Sequence, residues 1–377
     1  MQKYGRAAIS EFLGDFIVYR NLVPADERLP PLASLRGQAG LAEGQIPRKS
    51  EPEYARVIAL MVQSARALDS PAEQIQQLVF LGDTRLLDAT AFQNICQTSG
   101  WSGAAFIGAE NMKPAKVDLE TAAAGQVLFL ANRWDALADF ERFCLEKGVT
   151  FGPATAVLVD MDKTAIGARG RNAHVIDGAR VMAVRETVEG LLRDTFHPKS
   201  FQAAYDLLNQ PEFHPFTIDN QDYLAYICLI LGAGLYDLDQ VAGEVRAGRL
   251  VSFEQFIRDV NGRTADLPPE LAAIHKKIYS SLQAGDPTPF KAFRRSEYRI
   301  TVGRMGHLAE DAPVEALLAE EIVITQEVRE LALKWRGQGA LLFGLSDKPD
   351  EASVPTEELA AQGYQPIHRT ETHIVGA

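Results

Sequence analysis

The sequence predicts an α/β protein, a doubly wound parallel sheet joined to a mainly helical second domain. Three observations carry this. Short continuous apolar runs, Leu78–Leu81, Ala156–Val159 and Ala340–Leu345, are each bounded by turn residues, the pattern of strands buried on both faces. Helical periodicities alternate with these runs through short connections. From about Glu186 to Asp311 the helical pattern continues without a buried-strand run. A chain of 377 residues suits two domains, or one domain with a large insertion.

Taken in order, Ala8–Tyr19 reads as a helix or strand packed on the main domain, and Leu29–Pro47, rich in Pro, Gly and Ala, as a loop or linker. Lys49-Ser50-Glu51-Pro52-Glu53-Tyr54 opens a helix, with Ser50 as N-cap and Glu53 three residues on as a capping box. Tyr54, Val57, Ile58, Met61, Val62 and Ala65 continue it at helical spacing to about Leu68. The strand Leu78–Leu81 stops at Gly82-Asp83, with Asp88 close behind. Phe92–Ser99 reads as helix, Ala104–Gly108 as strand, and Val127–Leu130 as a strand or helix start. Trp134–Lys147 is amphipathic, with Leu137, Phe140, Phe143 and Cys144 inward.

The strand Ala156–Val159 runs straight into Asp160-Met161-Asp162-Lys163-Thr164 and a glycine-rich exit at Gly167 and Gly170. His174–Val184, with a turn signal at Asp177-Gly178, reads as a hairpin. Helices are expected over Glu186–Phe196, Ser200–Asn209, Asn220–Leu231, Leu238–Ala247, Ser252–Asn261 and Pro269–Ala284. The sheet is expected to resume near Thr325, followed by a helix over Gln326–Arg336 and the strand Ala340–Leu345, which ends in Ser346-Asp347-Lys348-Pro349. A helix over Pro355–Gln362 and a strand over His373–Val375 complete the chain.

Composition excludes several classes. The net charge of −12, from 38 basic and 50 acidic residues, argues against a nucleic-acid or anionic-membrane surface. The longest apolar runs, near Ile227–Leu235, are too short to span a bilayer, and no charged leader with an apolar core opens the chain. Cys96, Cys144 and Cys228 are odd in number and far apart, which reads as buried or free thiols in a reducing cytoplasm. The basic run Lys291, Arg294, Arg295, Arg299 and Arg304 reads first as a solvated face, and otherwise as an anion site.

The chemistry concentrates where strands end. In open parallel sheets, ligands bind beyond the carboxyl ends of the strands. Acids there are costly unless they hold a metal or react. An apolar strand followed by D-x-D-x-T, here Asp160 to Thr164, resembles the nucleophile motif of the haloacid dehalogenase-like phosphohydrolases. The G-D with a second acid after Leu78–Leu81, here Asp83 and Asp88, resembles that family's metal motif. K-S-E-P-E at Lys49 stands where the family has its phosphate lysine, with Ser50 in place of the usual Pro and Arg48 as a rival cation. Ser346 matches the motif whose hydroxyl binds phosphate, with Asp347 where the family has Asn, and Lys348 ranks below Lys49 for the phosphate role.

The motif order is a cyclic rotation of the family's order, so the chain resembles a circularly permuted member. The implied layout is a core of residues 1–180 and 312–377 with a helical cap over 181–311. The resemblance implies Mg²⁺ held by Asp160, Asp162 through its carbonyl, Asp83 and Asp88. It implies Asp160 as nucleophile, Asp162 as general acid and base, and Lys49 and Ser346 on the phosphoryl oxygens, with Asp347 beside them. Thr164 is expected to brace the loop by backbone hydrogen bonds. The implied activity is hydrolysis of a small phosphorylated metabolite. A phosphotransferase or phosphomutase using the same intermediate, and a non-catalytic binding protein, are the alternatives.

Overall fold

Residues buried on both sides of a strand need helices on both faces of the sheet, and the fold supplies them. A computed structural model describes residues 1–121 and 126–377. It divides into two compact units, residues 1–179 with 301–377, and residues 180–300. The return into the first unit thus falls at residue 301 and not at 312.

The first unit begins with β1 (Gln2–Ala7), α1 (Ser10–Leu13), β2 (Ile17–Tyr19), β3 (Val23–Pro24), α2 (Leu32–Ala39) and α3 (Pro52–Asp69). It continues with β4 (Gln77–Gly82), a π-helical turn (Arg85–Ala89), α4 (Thr90–Ser99), β5 (Ser102–Gly108), β6 (Val117–Thr121), β7 (Val127–Ala131), α5 (Leu137–Glu146) and β8 (Thr155–Asp160). The long helix α6 (Ala173–Leu192) leads into the second unit, which holds α7 (Pro198–Leu208), α8 (His214–Thr217), α9 (Gln221–Gly232), α10 (Leu238–Arg246), α11 (Phe253–Gly262) and α12 (Pro269–Gln283). The chain returns along α13 (Lys291–Val302) to α14 (Val314–Glu320), β9 (Ile324–Thr325), α15 (Gln326–Gly337), β10 (Leu341–Leu345), α16 (Glu357–Ala361) and β11 (Thr372–Gly376).

The main sheet has the order β3-β2-β10-β8-β4-β5-β7-β6. Its six central strands are parallel, and the edge strands β3 and β6 are antiparallel to their neighbours. On one face Phe80, Leu158 and Phe343 pack in one core with Val57, Ile58 and Met61 of α3 and Phe92 of α4. On the other, Phe106 and Phe129 meet Phe140 of α5 at ring-centroid distances of 5.7 and 5.5 Å. Phe151 stacks on Trp335 of α15 at 4.3 Å. In this order β10 and β4 flank β8 on its two sides.

Several local expectations are corrected. Residues 174–184 form no hairpin but part of α6: Val175, Ile176, Ala179, Ala183, Val184 and Val188 are buried at helical spacing, and that periodicity outweighs the Asp177-Gly178 turn signal. The segment 29–47 is not all loop, because α2 starts after Pro31 and stops at Gly40 in the left-handed conformation. Ser50 makes no capping box; Glu51 is the N-cap and Pro52 takes the first helical position, where its missing N–H costs nothing. Finally, β9 and β11 do not extend the main sheet. With β1 they form a separate three-stranded sheet of order β1-β11-β9.

The second unit is helical throughout its described elements. Its core gathers Leu208, Phe213, Phe216, Tyr226, Phe256 and Ile257, and Tyr223 stacks on Phe253 at 3.8 Å. Arg294 is buried and paired with Asp222 at 2.5 Å and Glu297 at 2.6 Å. Arg299 pairs with Glu186 at 2.5 Å and Lys291 with Asp286 at 2.9 Å. Most of the basic run is therefore taken up by ion pairs, and only Arg295 and Arg299 are exposed along its helical part. Among the described residues no helix is long and apolar enough to cross a membrane.

Candidate active site

Three parallel strands deliver their last residues to one place. Leu345 of β10 lies opposite Asp160 of β8, and Leu81 of β4 lies opposite Val159. Gly82 is therefore level with Asp160, and Asp83 and Ser346 are each one residue beyond it on either side. Neighbouring strands sit about 4.8 Å apart, so the three backbones fall within about 10 Å. Past Asp160 the chain folds back on itself. The Ala165 N–H donates to the Asp160 carbonyl at 3.1 Å, the Ile166 N–H to the Met161 carbonyl at 3.0 Å, and Lys163 takes a left-handed φ of 67°.

Lys49 comes from the turn before α3. That turn is braced at both ends: the Arg48 N–H donates to Glu51 Oε2 at 3.0 Å, and Asn94 of α4 donates to the Ser50 carbonyl at 3.0 Å. Its ammonium, buried, donates to Asp160 Oδ1 at 2.5 Å, touches Asp88 Oδ1 at 2.6 Å and lies 3.3 Å from Asp347 Oδ1. The rival Arg48 is exposed. Lys348 points elsewhere, its Nζ donating to Thr301 Oγ1 at 2.9 Å.

Asp88 reaches the site because the chain makes a π turn after β4. Such turns insert an extra residue and re-aim side chains. Thr84 caps it, and Asp88 Oδ2 accepts from the Asp83 N–H at 3.0 Å, the Thr84 N–H at 2.7 Å and Thr84 Oγ1 at 2.8 Å. The carboxylate lies so close over β4 that a Cβ at Gly82 would stand 2.5 Å from Asp88 Cβ. Gly82→Ala is therefore expected to displace Asp88 and destabilise the protein by about 1–3 kcal/mol, the usual range for overpacking. Equilibrium urea denaturation checks it; an unchanged midpoint would mean that Asp88 yields without cost.

The electrostatics are those of an excess of buried acid. Burial pushes the Asp160 carboxyl well above the usual carboxylate range, against the pull of Lys49 and with Asp88 and Asp83 adding to the push. Burial and the neighbouring Asp88 carry Asp83 up to about 7, although Arg169 and Lys49 oppose the shift. For Asp88 burial also acts upward, but Lys49 and the Thr84 donors outweigh it and hold the group below the usual range. Burial works against the Lys49 ammonium, yet Asp160, Asp347 and Asp88 keep it charged to well above the ordinary lysine value.

Carboxylate oxygens of Asp83, Asp88 and Asp160 all lie within 4.8 Å of one another. Asp160 Oδ2 is buried with no hydrogen-bond donor. An all-oxygen anionic set with an unsatisfied oxygen fits a hard divalent cation.

The remaining expected residues sit beside this cluster. Ser346 Oγ donates to Asp162 Oδ2 at 2.8 Å and accepts from the Lys348 N–H at 3.1 Å. Asp162 is half-buried. Thr164 is tied in through its backbone, its carbonyl accepting from Thr325 Oγ1 at 2.6 Å, while its hydroxyl is buried without a hydrogen-bond partner. Sequence reasoning missed Arg169, whose Nε donates to Asp83 Oδ2. Its place in the glycine-rich exit, between Gly167 and Gly170, was the available signal.

Against known proteins, the chain matches no family model, no curated protein and no solved structure.

Proposed function

We propose that this chain is a Mg²⁺-dependent phosphohydrolase acting on a small phosphate monoester, on a circularly permuted haloacid dehalogenase-like core with residues 180–300 as an inserted helical domain. One observation carries the reading. Lys49, Asp83, Asp88, Asp160, Asp162 and Ser346, far apart in sequence, converge at the carboxyl ends of β4, β8 and β10, and the central acid keeps a buried oxygen without a partner.

The Asp160 carboxylate attacks phosphorus; in the resting site its Oδ1 is held by Lys49 and its Oδ2 has no hydrogen-bond donor. Attack forms an Asp160–phosphorus bond as the ester oxygen leaves with its electron pair. Asp162 protonates that oxygen, then takes a proton from the water that hydrolyses the aspartyl-phosphate. Lys49 screens the charge between carboxylate and phosphate, and the Ser346 hydroxyl, already paired to Asp162, can turn to a phosphoryl oxygen. Asp83, Asp88 and Asp160 would hold the Mg²⁺, which supplies charge neutralisation for the dianionic substrate.

The direct test is hydrolysis of p-nitrophenyl phosphate. EDTA is expected to abolish it and added Mg²⁺ to restore it. Full activity in EDTA would remove the metal from the reading, and no turnover with Mg²⁺ on a panel of sugar phosphates and nucleotides would remove the hydrolase.

A further inference from the structure

Two arginines leave the loop after β8, and they are held differently. Arg171 is clamped, donating to Glu110 Oε2 at 2.9 Å and to both Glu327 oxygens at 2.9 and 3.0 Å, with its side chain 4% exposed. Arg169 has one carboxylate partner among the described residues, Asp83, and its side chain is 39% exposed. That partner is one of the three acids fit to hold a cation.

The backbone of Arg169 is fixed. Its N–H donates to the Lys163 carbonyl at 2.8 Å, and its carbonyl accepts from the Glu110 N–H at 3.0 Å and from Trp134 Nε1 at 3.1 Å. Next to it, Gly170 has φ 79°, and a Cβ there would overlap the Glu110 carbonyl oxygen. Only the side chain is left to move, from an anchored Cα at the rim of the acid cluster.

Resting on the phosphohydrolase reading, we infer that Arg169 is a substrate-binding cation that alternates between two anions. It pairs with Asp83 when the site lacks a divalent cation, and it turns to the anionic group of the substrate when the cation takes Asp83. The physical argument is charge competition. A guanidinium and a divalent cation compete for one buried carboxylate at short range, each weakening the other's attraction to it, and the more exposed partner is the one that yields. A guanidinium freed at that rim meets phosphate oxygens with donors in a matching fork.

Isothermal titration calorimetry on the full chain tests this with Arg169→Gln and Arg169→Lys. In metal-free buffer Arg169→Gln is expected to bind Mg²⁺ about two- to five-fold more tightly than wild type, the worth of one partly exposed ion pair. With Mg²⁺ saturating, the same variant is expected to bind inorganic phosphate about ten-fold more weakly, the loss of a charge-assisted contact, and Arg169→Lys to fall between. A role confined to bracing the loop would weaken both affinities or neither. An unchanged thermal melt of each variant confirms that the fold is intact. Any result other than opposite changes in the two affinities overturns the inference. If wild type binds Mg²⁺ and hydrolyses p-nitrophenyl phosphate, that failure belongs to Arg169 alone; if wild type binds no Mg²⁺, the metal reading falls with it.

Discussion

Asp160→Asn is expected to lower turnover of p-nitrophenyl phosphate by about 10⁴-fold or more while leaving the protein folded. An amide of the same shape cannot form the acyl-phosphate, so no route through a covalent intermediate remains. The fold should tolerate the change, because the carboxylate is itself a strained charge: burial and three neighbouring acids, Asp88, Asp347 and Asp83, push its pKa well above the usual range, against the pull of Lys49. Lys49 would keep Asp88 and Asp347 as partners. Steady-state kinetics with Mg²⁺, alongside a thermal melt, reads both parts. Activity within ten-fold of wild type would exclude Asp160 as nucleophile, and loss of the folded baseline would show that its charge holds the core together.

The parts of the site that rest on strand ends were legible in the sequence. Continuous apolar runs locate β4, β8 and β10, so the residues just past each run lie at the edge of the sheet, Asp83, Asp160 and Ser346 among them; the roles expected of them rest on the motif resemblance. Lys49 is legible only through the resemblance of K-S-E-P-E to the family's lysine motif. What was hidden depends on geometry that periodicity does not carry. Asp88 could be singled out as a nearby acid, but the π turn that folds it back onto Gly82 has no residue code. The Asp83–Arg169 pair joins residues 86 apart through two loops. The misread elements share one cause, punctuation weighed above period. Gly178 carries a turn signal although the buried positions around it repeat at helical spacing, and the Pro and Gly residues around α2 mark its ends and not a linker.

Lys49→Met should be the most destabilising single change at the site, by about 3–5 kcal/mol at neutral pH in EDTA, because it leaves buried acids without their shared counter-charge. Methionine fills much of the space of the lysine stem, so the loss is electrostatic and not a cavity. The lysine is buried against Asp160 and Asp88, and no second cation touches either of them among the described contacts, since Arg169 is engaged with Asp83. The pH dependence distinguishes this cause from simple misfolding. In wild type the folded lysine titrates above its ordinary value, so its contribution is complete below about pH 10 and is lost only as the solution becomes strongly alkaline. In the variant the acids remain, with Asp160 already raised by burial and now without the opposing ammonium. A carboxyl whose folded pKa exceeds its unfolded value holds its proton better in the native state. Stability is then greatest below about pH 4 and falls as pH rises through the folded pKa. Urea denaturation in EDTA at pH 5 and pH 8 should therefore show the gap between variant and wild type widening towards pH 8. A gap of equal size at both values would mean that Lys49 contributes packing, and that the ion pairs at its tip contribute nothing to the stability of the fold.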